Sequence, residues 1–408
     1  MQQTDQRNGA ECDRDHANRG SVVPTAVERD AVEHDDRDGV VSDAAAFDQL
    51  DSVCALTSVD STNTYATAAV RKALDGLTDN AGSADVARVV CGLFGVGKMN
   101  VAAPLSRLCR QLPSERGAEG EELGLPSLRG AVMRSMTEGS RCSASHRPLP
   151  MSVVLADTQT AGRGRLGRAW YNEPGGSFIG SYVTAVPKAL LDGGSSGWMT
   201  MAAGLAAIDA VESVMGELGI NSPQSATPTA PLTHEESLSE NRLSLKWPND
   251  VFLGGKKLGG ILAELAAVRG DTAIIVFGIG MNLFVSEDRL PIEQSTSLHL
   301  RVNDINDLPP YETLRNAIAN GIAESLRIRL TALANDTTHA VARLRDEVAE
   351  RSWTLGRHVV AHLATDDGTA SGRTVEGTAE SINADASLSI RLADGTVHTV
   401  TTGDVGVE

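Results

Sequence analysis

The stretch from Thr158 to Trp170, TQTAGRGRLGRAW, constrains the fold most, because it contains the glycine pattern G-x-G-x-x-G at positions 162–167. A dinucleotide-binding fold needs a strand before these glycines, a helix directly after them and an acidic residue about 20 positions later. The apolar run at 151–156 meets the first requirement, but turn-forming residues follow at 170–176, and Pro-Lys stands at 187–188. The context therefore argues against a Rossmann domain.

Composition limits the class of protein and partner. The 408 residues suffice for two or three domains, and 41% of them are hydrophobic. The net charge of -17 argues against a nucleic-acid surface as the main partner, because phosphate binding needs a basic face. The five cysteines form no C-x-x-C pair and their number is odd, which favours reduced thiols. No apolar run reaches the roughly 18 residues of a membrane span, and the N-terminal residues lack the apolar stretch of a signal peptide. We expect a cytoplasmic protein that binds neither DNA nor a membrane.

The composition and patterning of the sequence change several times along the chain, which predicts three regions. Residues 1–50 are polar and acid-rich, as in a disordered tail. Residues 51–352 carry helical and strand patterns, interrupted by two insertions. The first, at about 78–148, is expected to be partly ordered near Val86 to Leu93 and otherwise loose, and the second, at 221–241, to be loose. Residues 353–408 read as short alternating strands separated by turns, which predicts a small all-β unit. The whole chain is predicted to be α+β with a small barrel appended.

Local patterns place individual elements within the central region. Ser61-Thr62-Asn63 favours a helix start, and Tyr65, Ala68, Ala69, Val70 and Leu74 would form its apolar stripe. Apolar residues at helical spacing predict a helix over 196–218 that ends at Gly219. Further patterns predict strands at 177–186, 243–247, 258–265 and 273–283, and helices at about 311–331 and 337–352.

Four segments could carry chemistry, although each has a structural alternative. The side chains of Ser61-Thr62-Asn63 could hydrogen-bond a small polar head group, or only cap a helix. In the segment 159–170, glycines permit close approach of the backbone to a ligand, and three arginines offer donors for phosphate or carboxylate. Such a loop is expected to be mobile when empty, because its cations repel. Lys257, in the segment KWPNDVFLGGKKLGGILAEL at 246–265, would need an anion if buried, or could be a lysine on a hairpin. Gly278 to Leu283 is either an open backbone with one amide or a bulged strand end.

In this order, GRGRLGRAW, KWPNDVFL, KKLGGILAEL and GIGMNL resemble the biotin protein ligases, and DSTN upstream agrees. The resemblance covers residues 55–75 and 150–408. It implies a central mixed or antiparallel sheet of the class II synthetase type with flanking helices, and a C-terminal SH3-like barrel. It also implies a two-step reaction, in which biotin and ATP form biotinyl-5′-AMP and pyrophosphate, and biotin then passes to a lysine of a biotin carboxyl carrier domain.

The resemblance further implies roles for individual residues. Lys257 would contact the biotin carboxylate and then the adenylate phosphate, Trp170 would pack against the adenine side, and Asp250 would orient Mg²⁺ or receive the proton of the acceptor lysine. The implied catalytic residues are Lys257, Arg163, Arg165 and Asp250. The implied biotin-binding residues are Ser61, Thr62, Asn63, Gln159, Gly162, Arg163, Gly164, Arg165, Lys257, Gly259 and Gly260. The implied ATP and adenylate residues are Arg163, Arg165, Arg168, Trp170, Asn249, Lys257, Gly280 and Asn282. ATP with Mg²⁺ is the only implied cofactor, and the chain would be a monomer or a homodimer.

Two departures and two alternatives stay open. Leu166 stands where the family often has arginine, which could weaken retention of the adenylate. The span from Asn63 to Gln159 is unusually long, and we expect that deleting most of residues 78–148 leaves adenylation intact. A lipoate or octanoate ligase shares the fold and chemistry, but its acyl pocket needs no hydrogen-bonding head group. A non-catalytic biotin sensor is disfavoured, because binding alone does not need Lys257 and three arginines. Residues 1–55 are too polar and too short for a packed DNA-binding unit.

Overall fold

The computed structural model describes residues 49–78, 81–94, 149–192, 196–219, 241–302, 305–364 and 370–407. Most of the predicted acidic tail and large parts of the two predicted insertions lie outside these residues. The helices are α1 (Thr62–Asp75), α2 (Ser83–Cys91), α3 (Ser196–Glu217), α4 (Tyr311–Asn335) and α5 (Thr337–Glu350). The strands are β1 (Ser52–Val59), β2 (Met151–Gln159), β3 (Ser177–Pro187), β4 (Leu243–Lys246), β5 (Asp250–Leu253), β6 (Lys256–Arg269), β7 (Thr272–Asn282), β8 (His358–Ala364), β9 (Ala370–Ile382), β10 (Leu388–Arg391), β11 (Val397–Val400) and β12 (Gly403–Val407).

Seven strands form the central sheet in the order β1-β2-β3-β7-β6-β5-β4. The sheet is mixed, because β1 pairs with β2 in parallel while the other neighbours pair antiparallel. The longest pairing runs from Ser177 opposite Asn282 to Pro187 opposite Thr272. Both strands are buried over most of this length, as expected for a sheet that is covered on both faces. The predicted mixed sheet is confirmed.

Helices cover both faces of this sheet. Val153 and Leu155 of β2 belong to the larger apolar core with α3 and α4, whereas Val154 between them belongs to a smaller core with α1 and α2. This alternation follows from the period of two of a strand. The apolar stripe of α1 was predicted only in part, since Ala66, Val70 and Leu74 are its buried apolar residues and Tyr65 is exposed. The sheet therefore forms the middle of three layers.

Helix α3 is the one helix in the described residues that is long and apolar enough to cross a membrane. Its most apolar window is 72% buried inside the protein, and Trp198, Leu205 and Ile208 are fully buried in the larger core. The helix ends near Gly219, whose φ of +69° suits the glycine predicted there. We therefore assign α3 as a core helix.

The C-terminal strands form a separate five-stranded antiparallel sheet in the order β11-β10-β9-β8-β12. Two indoles attach its β9–β10 turn to the central domain: Trp198 Nε1 donates to Ala384 O at 2.7 Å, and Trp247 Nε1 donates to Ala386 O at 2.9 Å. A small barrel was expected here; the structure shows the antiparallel sheet, and its strand order in the described residues is open rather than closed. The last strand, β12, was not predicted separately.

Candidate active site

A cleft that is open to solvent lies where α1, the 162–170 segment, strands β5 to β7 and the start of β12 meet, and the empty space in it and at its mouth is about 790 Å³. It brings together most of the residues that the sequence nominated. These are Ser61, Thr62, Asn63, Gln159, Arg163, Gly164, Arg165, Arg168, Trp170, Asn249, Asp250, Lys257, Gly260 and Gly280. Residues separated by more than 200 positions thus share one surface.

The polar end of the cleft is a hydrogen-bonded network at the start of α1. Gln159 Oε1 accepts from the backbone N–H of Thr62 at 2.8 Å and from its hydroxyl at 3.2 Å. Ser181 Oγ lies 2.7 Å from Thr62 Oγ1 and donates to Asn63 Oδ1 at 2.6 Å. Ser61 precedes the helix without a side-chain capping bond, so a helix cap does not account for the residue. These buried side chains have fixed orientations and can recognise a small polar group.

Glu264 of β6 links this network to the arginines. Its Oε2 accepts from Asn63 Nδ2 at 2.7 Å and from Arg163 Nη2 at 2.9 Å. Glu264 lies within the motif KKLGGILAEL, and no role was predicted for it from the sequence. The signal was present, because a carboxylate at an inward position of an apolar strand needs a partner.

The segment at 162–170, with its three arginines, is a tight hairpin, which we call the arginine hairpin. The backbone of Gly164 donates to Arg168 O at 2.7 Å, and that of Trp170 donates to Gly162 O at 2.9 Å. Leu166 and Gly167 form the tip with φ values of +56° and +71°. Glycine tolerates this left-handed conformation, whereas a leucine there costs about 1–2 kcal/mol. The second half of the glycine pattern therefore builds a turn, which explains why no dinucleotide-binding helix follows.

Each arginine of the hairpin has a protein partner. Arg163 pairs with Glu264, while Arg165 donates to Gly403 O at 3.3 Å and lies 3.5 Å from Asn249 Oδ1. Arg168 Nη2 lies 2.6 Å from Asp404 Oδ2. Burial lowers the pKa of Arg165 from its ordinary value, although Asp404 and Asp250 oppose that effect. The hairpin thus presents cations that are already held in place.

Lys257 is half-buried and contacts an anion. Its Nζ lies 2.8 Å from Asp250 Oδ1, and Lys246 Nζ lies 3.5 Å from Asp250 Oδ2. Lys246 also reaches Asp404 Oδ1 at 3.8 Å. Both oxygens of Asp250 therefore face lysines. The described residues contain no group of three or more His, Cys, Asp or Glu side chains that could hold a metal ion.

Trp170 lies directly over the backbone of β7. A methyl group on Gly280 would come within 2.5 Å of Trp170 Cε2, so only glycine permits this contact. The indole Nε1 is buried and has no hydrogen-bond partner among the described residues. The indole forms an apolar wall together with Ile179 and Ile279.

Three nominated residues do not line the cleft. Gly162 provides room for Trp170, and a side chain on Gly259 would collide with the Gly280 carbonyl and with Met281. Asn282 is buried and donates to Thr296 O at 3.0 Å. Their motifs are therefore explained by packing in this structure. Conversely, Asp404 lines the cleft and was not nominated.

Comparison with known proteins explains this combination of residues. A model of the biotin/lipoate A/B protein ligase family matches residues 137–282. The biotin--[acetyl-CoA-carboxylase] ligase of Mycobacterium tuberculosis is 31% identical over 266 residues, which are 64% of this chain and 81% of that protein. The chain belongs to the biotin protein ligase family. It is therefore an enzyme of the ligase class, and the resemblance drawn from the sequence is confirmed.

Two further relatives extend the comparison. The biotin--[acetyl-CoA-carboxylase] ligase of Paracoccus denitrificans is 28% identical over 53% of this chain and 81% of its own length. A solved biotin protein ligase from Aquifex aeolicus, in complex with biotin, is 17% identical with a TM-score of 0.48, and the match covers 88% of this chain and 98% of that one.

Proposed function

We propose that the chain activates biotin with ATP to give biotinyl-5′-AMP and pyrophosphate, and then transfers biotin to a lysine of a biotin carboxyl carrier domain. The observation that carries this proposal is the composition of the cleft. A network of buried hydroxyls and amides shares the cleft with Lys257 and the arginine hairpin. Biotin has a ureido head that needs hydrogen bonds and a carboxylate that needs cations, so both ends have partners.

The first step joins two anions, since the biotin carboxylate attacks the α-phosphorus of ATP. Lys257 and Arg165 offset the repulsion between carboxylate and phosphate and stabilise the charge that develops as pyrophosphate leaves. Because Lys257 already faces Asp250, the substrate carboxylate competes for a lysine whose position is fixed. Arg163 holds the hairpin beside the reacting groups through Glu264, and Arg168 contacts Asp404.

In the second step the acceptor amine attacks the mixed anhydride, and AMP leaves. An amine with an ordinary pKa near 10.4 must lose a proton before it can attack. Asp250 lines the cleft, and one of its oxygens becomes available for that proton once the substrate draws Lys257 away from it. Two lysines occupy both of its oxygens, so Asp250 is a poor ligand for a protein-held Mg²⁺. We infer that Mg²⁺ arrives with the triphosphate of ATP.

We also infer the finer architecture that the family implies. The central sheet with its flanking helices would be of the class II synthetase type, and residues 353–408 would form an SH3-like unit. Residues 51–352 would then be the catalytic domain. The antiparallel pairing of β8 with both β9 and β12 supports the inference for the C-terminal unit.

The test is ATP–pyrophosphate exchange with the purified full chain, comparing biotin, lipoate and octanoate. We expect exchange with biotin alone. We further expect Lys257→Ala to lower exchange at least a thousandfold, because the cation next to the carboxylate is lost. Lys256→Ala is the matched control, since this neighbouring lysine does not line the cleft.

Exchange supported by lipoate or octanoate would retain the reaction class but contradict the substrate. Biotin binding without any exchange would contradict the catalytic proposal and would favour the alternative of a non-catalytic biotin sensor. Equal losses in the Lys256 and Lys257 variants would contradict the role of Lys257.

A further inference from the structure

Strand β12 brings two oxygen atoms to the arginine hairpin. The Asp404 carboxylate lies 2.6 Å from Arg168 Nη2 and 3.8 Å from Lys246 Nζ. The neighbouring carbonyl of Gly403 accepts from Arg165 Nη2 at 3.3 Å. Two arginines of the cleft, and Lys246 beside it, thus contact oxygens from the C-terminal sheet.

The anchoring of the C-terminal sheet limits how far Asp404 can move. The indoles of Trp198 and Trp247 hold the β9–β10 turn, and Trp247 N donates to Thr354 Oγ1 at 2.9 Å. Strand β12 is itself paired along its whole length with β8, from Gly403 opposite Leu363 onward. Motion of the hairpin away from Asp404 is therefore the easier way to open the ion pair.

The cations around Asp404 make it their counter-ion at this end of the cleft. Burial alone would raise the pKa of Asp404, but Lys246, Arg168 and Lys257 outweigh burial and lower it below the ordinary value. The carboxylate is therefore negative at neutral pH. A carboxylate and a phosphoryl group both offer paired oxygens to a guanidinium, so they compete for the same donors.

We propose that Asp404 is an internal counter-ion of Arg168. A phosphoryl group of the substrate displaces Asp404 from Arg168, and the ion pair forms again when pyrophosphate leaves. The inference rests on the proposed function, because it concerns the anion which that reaction releases. It makes Asp404 a positioning residue for the arginine hairpin that speeds release of pyrophosphate. In its absence, pyrophosphate would bind more tightly and leave more slowly.

The experiment is calorimetric titration of inorganic pyrophosphate into the full chain, without biotin or ATP. Asp404→Asn keeps the size and one oxygen but removes the charge, and we expect it to bind pyrophosphate about tenfold more tightly, as a charge-assisted contact to Arg168 becomes available. Asp404→Glu should bind within twofold of the original chain. Product inhibition of biotinyl-5′-AMP formation by pyrophosphate should strengthen by the same factor in Asp404→Asn.

Asp394→Asn is the matched control, because Asp394 lies in a turn of the same sheet and bonds Thr396 rather than the cleft. It should leave pyrophosphate binding unchanged. In the double variant Asp404→Asn with Arg168→Gln, the tenfold gain should disappear if the competition acts through Arg168.

Equal or weaker pyrophosphate binding by folded Asp404→Asn would overturn the proposal, and so would undetectable binding to both forms. Weaker binding would mean that Asp404 positions Arg168 for the phosphate instead of competing with it. Because the titration contains no biotin, its outcome is independent of which acid the exchange assay identifies as substrate.

Discussion

Gly280 determines where the indole of Trp170 can lie. The ring rests on the backbone of β7, and the backbone of Trp170 is fixed by its hydrogen bond to Gly162 O at 2.9 Å. The ring therefore has little room to retreat if a side chain appears beneath it. Since Trp170 forms a wall of the cleft, a change at Gly280 should reach the substrate through the ring.

We predict that Gly280→Ala displaces the Trp170 ring and lowers kcat/KM in biotin-dependent exchange at least about tenfold, equivalent to about 1.4 kcal/mol of transition-state stabilisation. Exchange kinetics and tryptophan fluorescence measure the two effects. Gly216→Ala is the control, because a methyl group there meets open space at the end of α3, and it should leave kinetics unchanged. Unaltered kinetics and fluorescence in Gly280→Ala would refute the steric argument.

At the residue scale, the sequence indicated which residues could form the site, but not the direction in which each side chain points. Lys257, Arg163 and Gln159 stood out because cations and amides beside glycines rarely serve packing alone, and the cleft contains all three. Gly259 and Asn282 belong to equally specific motifs, yet neither lines the cleft. Gly259 packs against the neighbouring strand β7, and the side chain of Asn282 bonds the loop at Thr296. The face on which a strand residue lies depends on register and bulges, such as the one between Val251 and Phe252, which local spacing does not reveal.

Among the helices, α3, α4 and α5 are joined by a buried ionic network centred on Asp209. Its Oδ2 lies 2.7 Å from Arg329 Nη1 and its Oδ1 lies 3.1 Å from Arg351 Nη1. Ser325 Oγ also donates to Asp209 at 2.7 Å, and Glu347 pairs with the other side of Arg329. Burial by itself would lower the pKa of Arg329, but Asp209 and Glu347 raise it overall. The arginine therefore stays charged and depends on these carboxylates.

We predict that Asp209→Ala destabilises the chain by about 3–5 kcal/mol, because it leaves a buried arginine without one of its counter-ions. Urea unfolding monitored by circular dichroism measures the loss. Asp192→Ala, at an exposed position outside the helices, should change the free energy of unfolding by less than about 0.5 kcal/mol. A loss below about 1 kcal/mol in Asp209→Ala would show that the network contributes little to stability.

Elements that are defined by local sequence patterns were predicted, whereas elements that depend on pairing with distant residues were not. The long helices α3, α4 and α5 were predicted close to their observed bounds, because their apolar spacing is a local signal. Strands β1 and β12 were missed, since both are edge strands whose pairing partners lie about 100 and 40 residues away. The omission of β12 also concealed Asp404, which comes to the cleft only through that pairing.

At the scale of the whole molecule, the first predicted insertion contains a part that belongs to the core. Val86 and Val90 of α2 are fully buried in the smaller core, together with Val154 and Val183 of the central sheet. Ser152 Oγ donates to Val90 O at 2.6 Å, which attaches the helix to β2. A deletion across residues 78–148 would remove this helix and expose the apolar surface beneath it.

The two ends of a shorter deletion already lie close together. Phe94 N donates to Ser52 Oγ at 3.4 Å, and Ser52 Oγ donates to Ser152 Oγ at 2.7 Å, only three residues after Leu149. A linker of about eight glycine and serine residues, each spanning up to about 3.5 Å, can join Phe94 to Leu149. Closing so short a loop has a small entropic cost.

We therefore predict that replacing residues 95–148 with such a linker keeps biotin-dependent exchange within about twofold of the original and changes Tm by only a few degrees. Replacing residues 79–148 should instead lower Tm by about 10 °C or more, since loss of two buried valines and their helix costs several kcal/mol. Exchange kinetics and thermal unfolding of both variants provide the comparison. If the shorter deletion remains folded but loses exchange, the removed segment contributes to the reaction itself, and the cleft defined by the described residues is incomplete.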